Sequence, residues 1–279
     1  MTGITVSGTD NASGTRGRSR AVSGGHYRFR HAARMEWVKL RTLRSTWWTL
    51  GITAVGAVAI GVGVGAGTRD GSGDLTNNAL VGMVPGLLLT GVLGVLVTTA
   101  EYSSGMIRST LAAIPRRPLA LAAKAAVFGA LALAFGELAS FASFFAGGAA
   151  LGHGIAAPTL GRPGVLRAVV FSGMSFALIG LIGVGLGAIV RHTAAAIAMV
   201  VGGVYVLGQV VGALAHAAAP YMPILIVANS LSTTRPPTCS AGSGSCPQML
   251  SAWSGLGMLG LYAAVVLVIG GWLLARRDA

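Results

Sequence analysis

A chain of 279 residues that is 53% hydrophobic and only 10% charged lies outside the range of soluble globular proteins, where about a quarter of residues are charged. Its formal net charge of +13 comes from 20 Lys and Arg against 7 Asp and Glu. These gather at the edges of apolar segments, as on a membrane protein, and no nucleic-acid partner is expected. G-x-x-x-x-G-K-[ST] and H-E-x-x-H are both absent and the five histidines are scattered. No ATP hydrolysis, metal site or cofactor is therefore expected in the chain itself.

Residues 1–31 are rich in Ser, Gly, Thr and Arg and have no apolar core. They read as a disordered basic tail that stays in the cytoplasm rather than a cleavable signal peptide, ahead of one membrane domain over 32–279. Residues 32–45 contain no Pro or Gly. On a helical wheel Leu40, Leu43 and Trp47 gather on one side with Trp37 beside them, and Arg34 and Arg41 point away. That spacing predicts an interfacial helix with its basic residues toward lipid phosphate; a plain extension of the first span is the other reading. Glu36 is within reach of Lys39 at i+3.

Six apolar segments follow, at 46–66, 79–100, 119–151, 165–190, 193–215 and about 253–275. None alternates strictly, and each is about twice the length of a barrel strand, so helices are expected. The third would be roughly 50 Å long against a hydrocarbon core of about 30 Å. It must tilt, break near Gly147–Gly148 or run past the bilayer. With the N-terminus inside, cytoplasmic pieces hold sixteen Lys and Arg, including Lys124 snorkelling to the surface. The outside loops hold Arg69, Arg162, Arg167 and Arg235. That bias predicts both termini in the cytoplasm.

Between the second and third segments, 101–118 reads E-Y-S-S-G-M-I-R-S-T-L-A-A-I-P-R-R-P. Met106, Ile107, Thr110, Leu111 and Ile114 share one face of a short helix. Ser103 or Ser104 can cap its start; Pro115 and Pro118 stop it, with Arg116 and Arg117 at its end. Arg108 lies off the apolar side. A surface helix and a basic, topology-setting loop both fit. Glu137 is an acid inside the third segment, read either as substrate contact, proton relay or gate, or as a protonated side chain or one bonded to Ser140 or a neighbour. Gly61-x-Gly63-x-Gly65 and the glycines of 180–187 are helix-packing candidates. Residues 218–232 are apolar but too short to cross. Cys239 and Cys246 share an outside Ser/Gly loop, and a disulfide is expected there.

The runs E-W-V-K-L-R-T-L-R-S-T-W-W at 36–48 and E-Y-S-S-G-M-I-R-S-T-L-A-A-I-P-R-R at 101–117 resemble the permease subunit of type-two ABC exporters. The likeness extends over roughly 33–275, with nearly all its specificity in those two runs. It implies an all-α, six-span membrane domain with an N-terminal elbow helix and a short cytoplasmic coupling helix between spans two and three. It implies docking onto a separate P-loop ATPase, which would bind the ATP and magnesium, through Glu101, Tyr102, Ser104, Gly105, Arg108, Pro115, Arg116 and Arg117. The elbow helix, with Glu36, Lys39 and Arg41, would brace that ATPase. A second permease chain would complete a pathway for a hydrophobic or amphipathic substrate across the cell membrane, with Glu137 on the pathway or its gate. The likeness also implies a broken, partly re-entrant helix before the last span. An ion-coupled secondary transporter using Glu137 and a non-transporting membrane regulator stay open beside it.

Overall fold

The computed structural model describes residues 29–71, 73–106, 117–215, 217–233 and 249–276. Most of the expected tail, the 107–116 stretch with Arg108, Pro115 and Arg116, and Arg235, Cys239 and Cys246 lie outside the described residues. Among those described, all regular structure is helical.

Helix α1 (Phe29–Thr42) begins three residues before the expected domain boundary. Leu43 leaves helical geometry at φ −79°, ψ 97°, so α1 is separate from α2 (Arg44–Gly67) rather than an extension of it. A short α3 (Leu75–Leu80) turns directly into α4 (Met83–Ser103). Then come α5 (Arg117–Ala149) and α6 (Val165–Val190). The fifth apolar segment is α7 (Thr193–Met199), a π-helix (Val200–Val206) and α8 (Leu207–Leu214). After it come α9 (Pro223–Leu231) and α10 (Ala252–Arg276). Among the described residues six helices are long and apolar enough to cross a membrane, which makes the chain a multi-pass, all-α membrane protein.

Packing centres on α6, whose apolar stretch is 72% buried, against 17% for the fifth span. Hydrocarbon gives no solvent push between helices, so close approach depends on small residues. A Cβ on Gly94 of α4 would run into the carbonyl of Gly180 on α6, and one on Gly183 into the carbonyl of Gly91. Gly136 of α5 meets the Gly173 carbonyl in the same way. Of the expected glycine row, Gly61 and Gly65 are packed, against Ala79 and Gly147, while Gly63 meets nothing within 4 Å.

Helix α5 passes through Gly147 and Gly148 and ends one residue later, at Ala149. Gly147 accommodates α2 and leaves the helix continuous for 33 residues. Ser143, one turn earlier, donates to the Ala79 carbonyl at 2.6 Å. At the same end, Asp74 caps α3 and accepts from the Thr233 hydroxyl at 2.9 Å. Arg167, expected in a loop, sits in the first turn of α6 and donates to the Ser232 carbonyl at 3.1 Å. These contacts hold α9 in place. At nine residues it spans about 14 Å, too short to cross, and Ile224 to Val227 with Leu231 are buried.

Gly94→Ala should destabilise the protein by about 1–3 kcal/mol through overpacking of α4 on α6. Gly63→Ala should be neutral or stabilising by about 0.5–1 kcal/mol through helix propensity. Thermal unfolding in detergent, followed by circular dichroism, checks both; equal melting points for the two variants would remove the glycine seam as a determinant.

Candidate functional site

The spacing of α1 puts Ala32, Glu36 and Leu40 at i, i+4 and i+8 on one stripe, and these are its buried residues. Of the expected apolar side, Leu40 is buried at 2% exposed, while Trp37, Leu43 and Trp47 are 43%, 48% and 38% exposed. Ala32 packs against Ala120 and Ala123 of α5, with Met35 and Leu119 alongside. That contact carries Glu36 into the bundle, where it is 1% exposed.

An acid can be buried so deeply because two other charges are buried with it and the partly exposed Lys39 is paired to it. Glu101, two residues before the end of α4, and Lys124, two turns into α5, are each 5% exposed. Lys124 donates to Glu36 Oε2 at 2.7 Å and to Glu101 Oε1 at 2.8 Å. Lys39 donates to Glu36 Oε1 at 3.1 Å and to Glu101 Oε1 at 2.9 Å. Two carboxylates and two ammoniums close a neutral ring across α1, α4 and α5. Lys124 therefore does not reach out to a membrane surface. Burial pulls the Lys39 pKa down, but the Glu101 hydrogen bond and the charges of Glu36 and Glu101 outweigh it and hold the ammonium above the usual 10.5.

The neighbouring residues complete the end of α4. Ser103 and Ser104 both donate to the Ala100 carbonyl, at 3.2 and 2.7 Å, so their hydroxyls finish the preceding helix. Gly105 has φ +70°, and a Cβ there would meet nothing within 4 Å. Its glycine answers to backbone conformation, not to a close neighbour. Arg191 ends α6 in the left-handed region at φ 59° and lays its guanidinium over the Tyr102 ring, 5.4 Å from the centroid. Its Nε and Nη2 are buried without a hydrogen-bond partner. Arg41 is exposed, and its carbonyl accepts from Trp47 Nε1 at 3.3 Å, joining α1 to α2. Arg117 opens α5.

Glu137 stands apart from the ring. It lies thirteen residues beyond Lys124, about 20 Å along α5, and is only partly buried. It packs on Gly173 of α6, where a Cβ would sit 2.5 Å from its carboxyl carbon. Ser140 donates instead to the Val169 carbonyl at 2.7 Å, which removes the expected bond between it and Glu137. No described residue gives Glu137 a hydrogen bond or an ion pair. Neither Lys124 as the joint partner of Glu36 and Glu101 nor the Arg191–Tyr102 contact was foreseen from spacing. The signal was rarity: the chain holds two lysines and three glutamates, and four of those five meet here.

No protein-family model and no curated protein matches this chain.

Lys124→Met would leave two buried carboxylates facing one lysine and should cost about 3–5 kcal/mol. Adding Glu101→Gln restores neutrality and should recover part of that loss, which thermal unfolding of the single and double variants would read. The pH response has a definite sign. Because the folded Lys39 pKa is raised, its contribution is complete below 10.5 and is lost only as pH rises through the higher folded value. Subtracting the melting profile of Lys39→Met from that of wild type should give a constant difference up to about pH 10, shrinking above it.

Proposed function

We propose that this chain is the permease subunit of an ABC exporter, moving a hydrophobic or amphipathic substrate across the cell membrane. A separate P-loop subunit hydrolyses the ATP. The observation that carries the reading is the buried ring. Glu101 lies just before the 104–116 stretch and pairs with Lys39 of α1, and Lys124 lies after it and pairs with Glu36 of α1. A partner pressing on 104–116 would therefore move α1, α4 and α5 together.

In this reading the α1 end is cytoplasmic. The charges fit: Arg30, Arg34, Arg41, Arg44, Arg117, Arg191 and Arg276 lie toward that end with the two lysines, against Arg69, Arg162 and Arg167 at the other. The residues from Tyr102 through Arg117, Arg108 included, form the docking surface with Glu101 buried behind them, and α1 braces the ATPase through its outward side, which carries Arg41. ATP-driven closure reaches α5 at Arg117 and Lys124. The unbroken helix then carries the displacement to Glu137, on the pathway shared with a second permease chain. Coupling of this kind requires the partner to bind two states of the bundle unequally. One observation favours a second reading: Glu137, unpaired among the described residues in an apolar helix, has the character of a proton carrier, as in an ion-coupled transporter.

Co-expression with the P-loop ATPase subunits of the same cell should yield one that co-purifies in nanodiscs. Arg108→Glu should weaken that complex by about 2–5 kcal/mol for a contact buried at the interface. Gly105→Val, strained at φ +70°, should uncouple transport from ATP hydrolysis. Normal complexes and normal transport in both variants would reduce 104–116 to a topology-setting loop.

Glu137→Gln keeps the shape and removes the charge, so it should assemble normally yet alter transport or ATPase stimulation. Wild-type turnover would leave Glu137 a purely structural role. Transport that survives ATP depletion but stops in Glu137→Gln would establish the ion-coupled reading instead.

A further inference from the structure

Beside α1, on the flank away from the ring, a groove of about 380 Å³ runs between two helices. Ala33, Arg34 and Trp37 of α1 form one wall; Ala126, Val127 and Ala130 of α5 form the floor. We propose that this groove is a binding site for one phospholipid with an anionic headgroup. The phosphate sits on Arg34 and an acyl chain lies along Ala126 and Ala130. The proposal does not depend on the identity of any protein partner.

The floor is shaped for a chain. Ala126 and Ala130 are at i and i+4, so their methyl groups form a shallow apolar track, and both are exposed. They lie nine and thirteen residues into α5, about 14 and 20 Å from its start at Arg117. Trp37 supplies a wall of the kind favoured at the boundary between headgroups and hydrocarbon.

The headgroup end is set by charge. The single acid on α1 is Glu36, and it is turned inward onto Lys39 and Lys124. Nothing on the outward side of α1 therefore neutralises Arg34, and Arg30 reinforces it one turn earlier; both are exposed. No described residue gives Arg34 a hydrogen bond or an ion pair. A free guanidinium at the mouth of an apolar track matches a lipid phosphate, with bidentate hydrogen bonding available. A lipid whose net headgroup charge is zero gains less from the surrounding positive field.

The test is native mass spectrometry of the full chain released from vesicles of equimolar phosphatidylglycerol and phosphatidylcholine with matched chains. Wild type should retain phosphatidylglycerol about fivefold over phosphatidylcholine, the worth of one basic residue facing anionic lipid. Arg34→Glu should abolish the preference, and Ala126→Phe should remove both lipids by filling the track. Arg44→Glu makes the same charge change outside the groove and should keep the preference. All three sites are exposed, so folded yield should be unaffected, as circular dichroism would show. Equal retention of the two lipids by wild type would overturn the proposal. So would an unchanged preference in Arg34→Glu, or an equal loss in Arg44→Glu, which would mark a diffuse field. A two-chain species lost in Ala126→Phe would assign the groove to a second copy instead.

Discussion

Removing a carboxylate or an ammonium from water costs several kcal/mol per ion, and three such groups, with Lys39 partly so, are withdrawn where α1, α4 and α5 meet. Because none can be left alone there, each fixes the others. Glu36 requires α1 to stay docked on α5; Glu101 requires the end of α4 to stay beside the start of α5. Lys124 touches both acids and has no room to leave. The ring thereby sets the separation of the two chain ends that flank 104–116. It also determines the rotation of α1, which turns Trp37 and Arg34 outward because Glu36 must turn in.

The same polypeptide contains an acid handled in the opposite way. Glu137 shares α5 with Lys124 but faces Gly173 of α6 and has no partner among the described residues. Glycine seams hold α6 against α4 and α5, so there is little slack for Glu137 to find one. One helix thus joins a site where charge is fully compensated to a site where it is not. The first resists rearrangement because opening it strands charges; the second gains by any rearrangement that brings a cation, a proton or a polar substrate.

The six spans could be read from composition because hydrocarbon leaves a long apolar run no alternative but a helix. Their ends agree with the structure to within about four residues, the usual reach of such reading. The inward face of α1 could be read only at Leu40, since a helical wheel ranks residues by polarity and Glu36 stands beside Ala32 and Leu40 on that face. Lys124 likewise reads as a snorkelling lysine until Glu36 and Glu101, 88 and 23 residues away, are brought beside it. Gly147 reads as a possible break, and α5 does end at Ala149, but the missing side chain also admits α2. In each case a long-range partner alters the local reading. The docking role of 104–116 depends on resemblance, and its core at 107–116 is outside the described residues.

The separation of Glu36 from Lys124 by 88 residues also imposes an order on biogenesis. At roughly 5–20 residues per second, the ribosome delivers Lys124 about 4–18 s after Glu36. The first two spans are made within that interval, while Glu36 has only Lys39 beside it. It must remain hydrated until the third span arrives with the second lysine. Docking of α1 is therefore a late event in synthesis, and it reports that the third span has been inserted the right way round. An inverted third span would carry Lys124 to the opposite side of the bilayer and leave Glu36 without its second lysine.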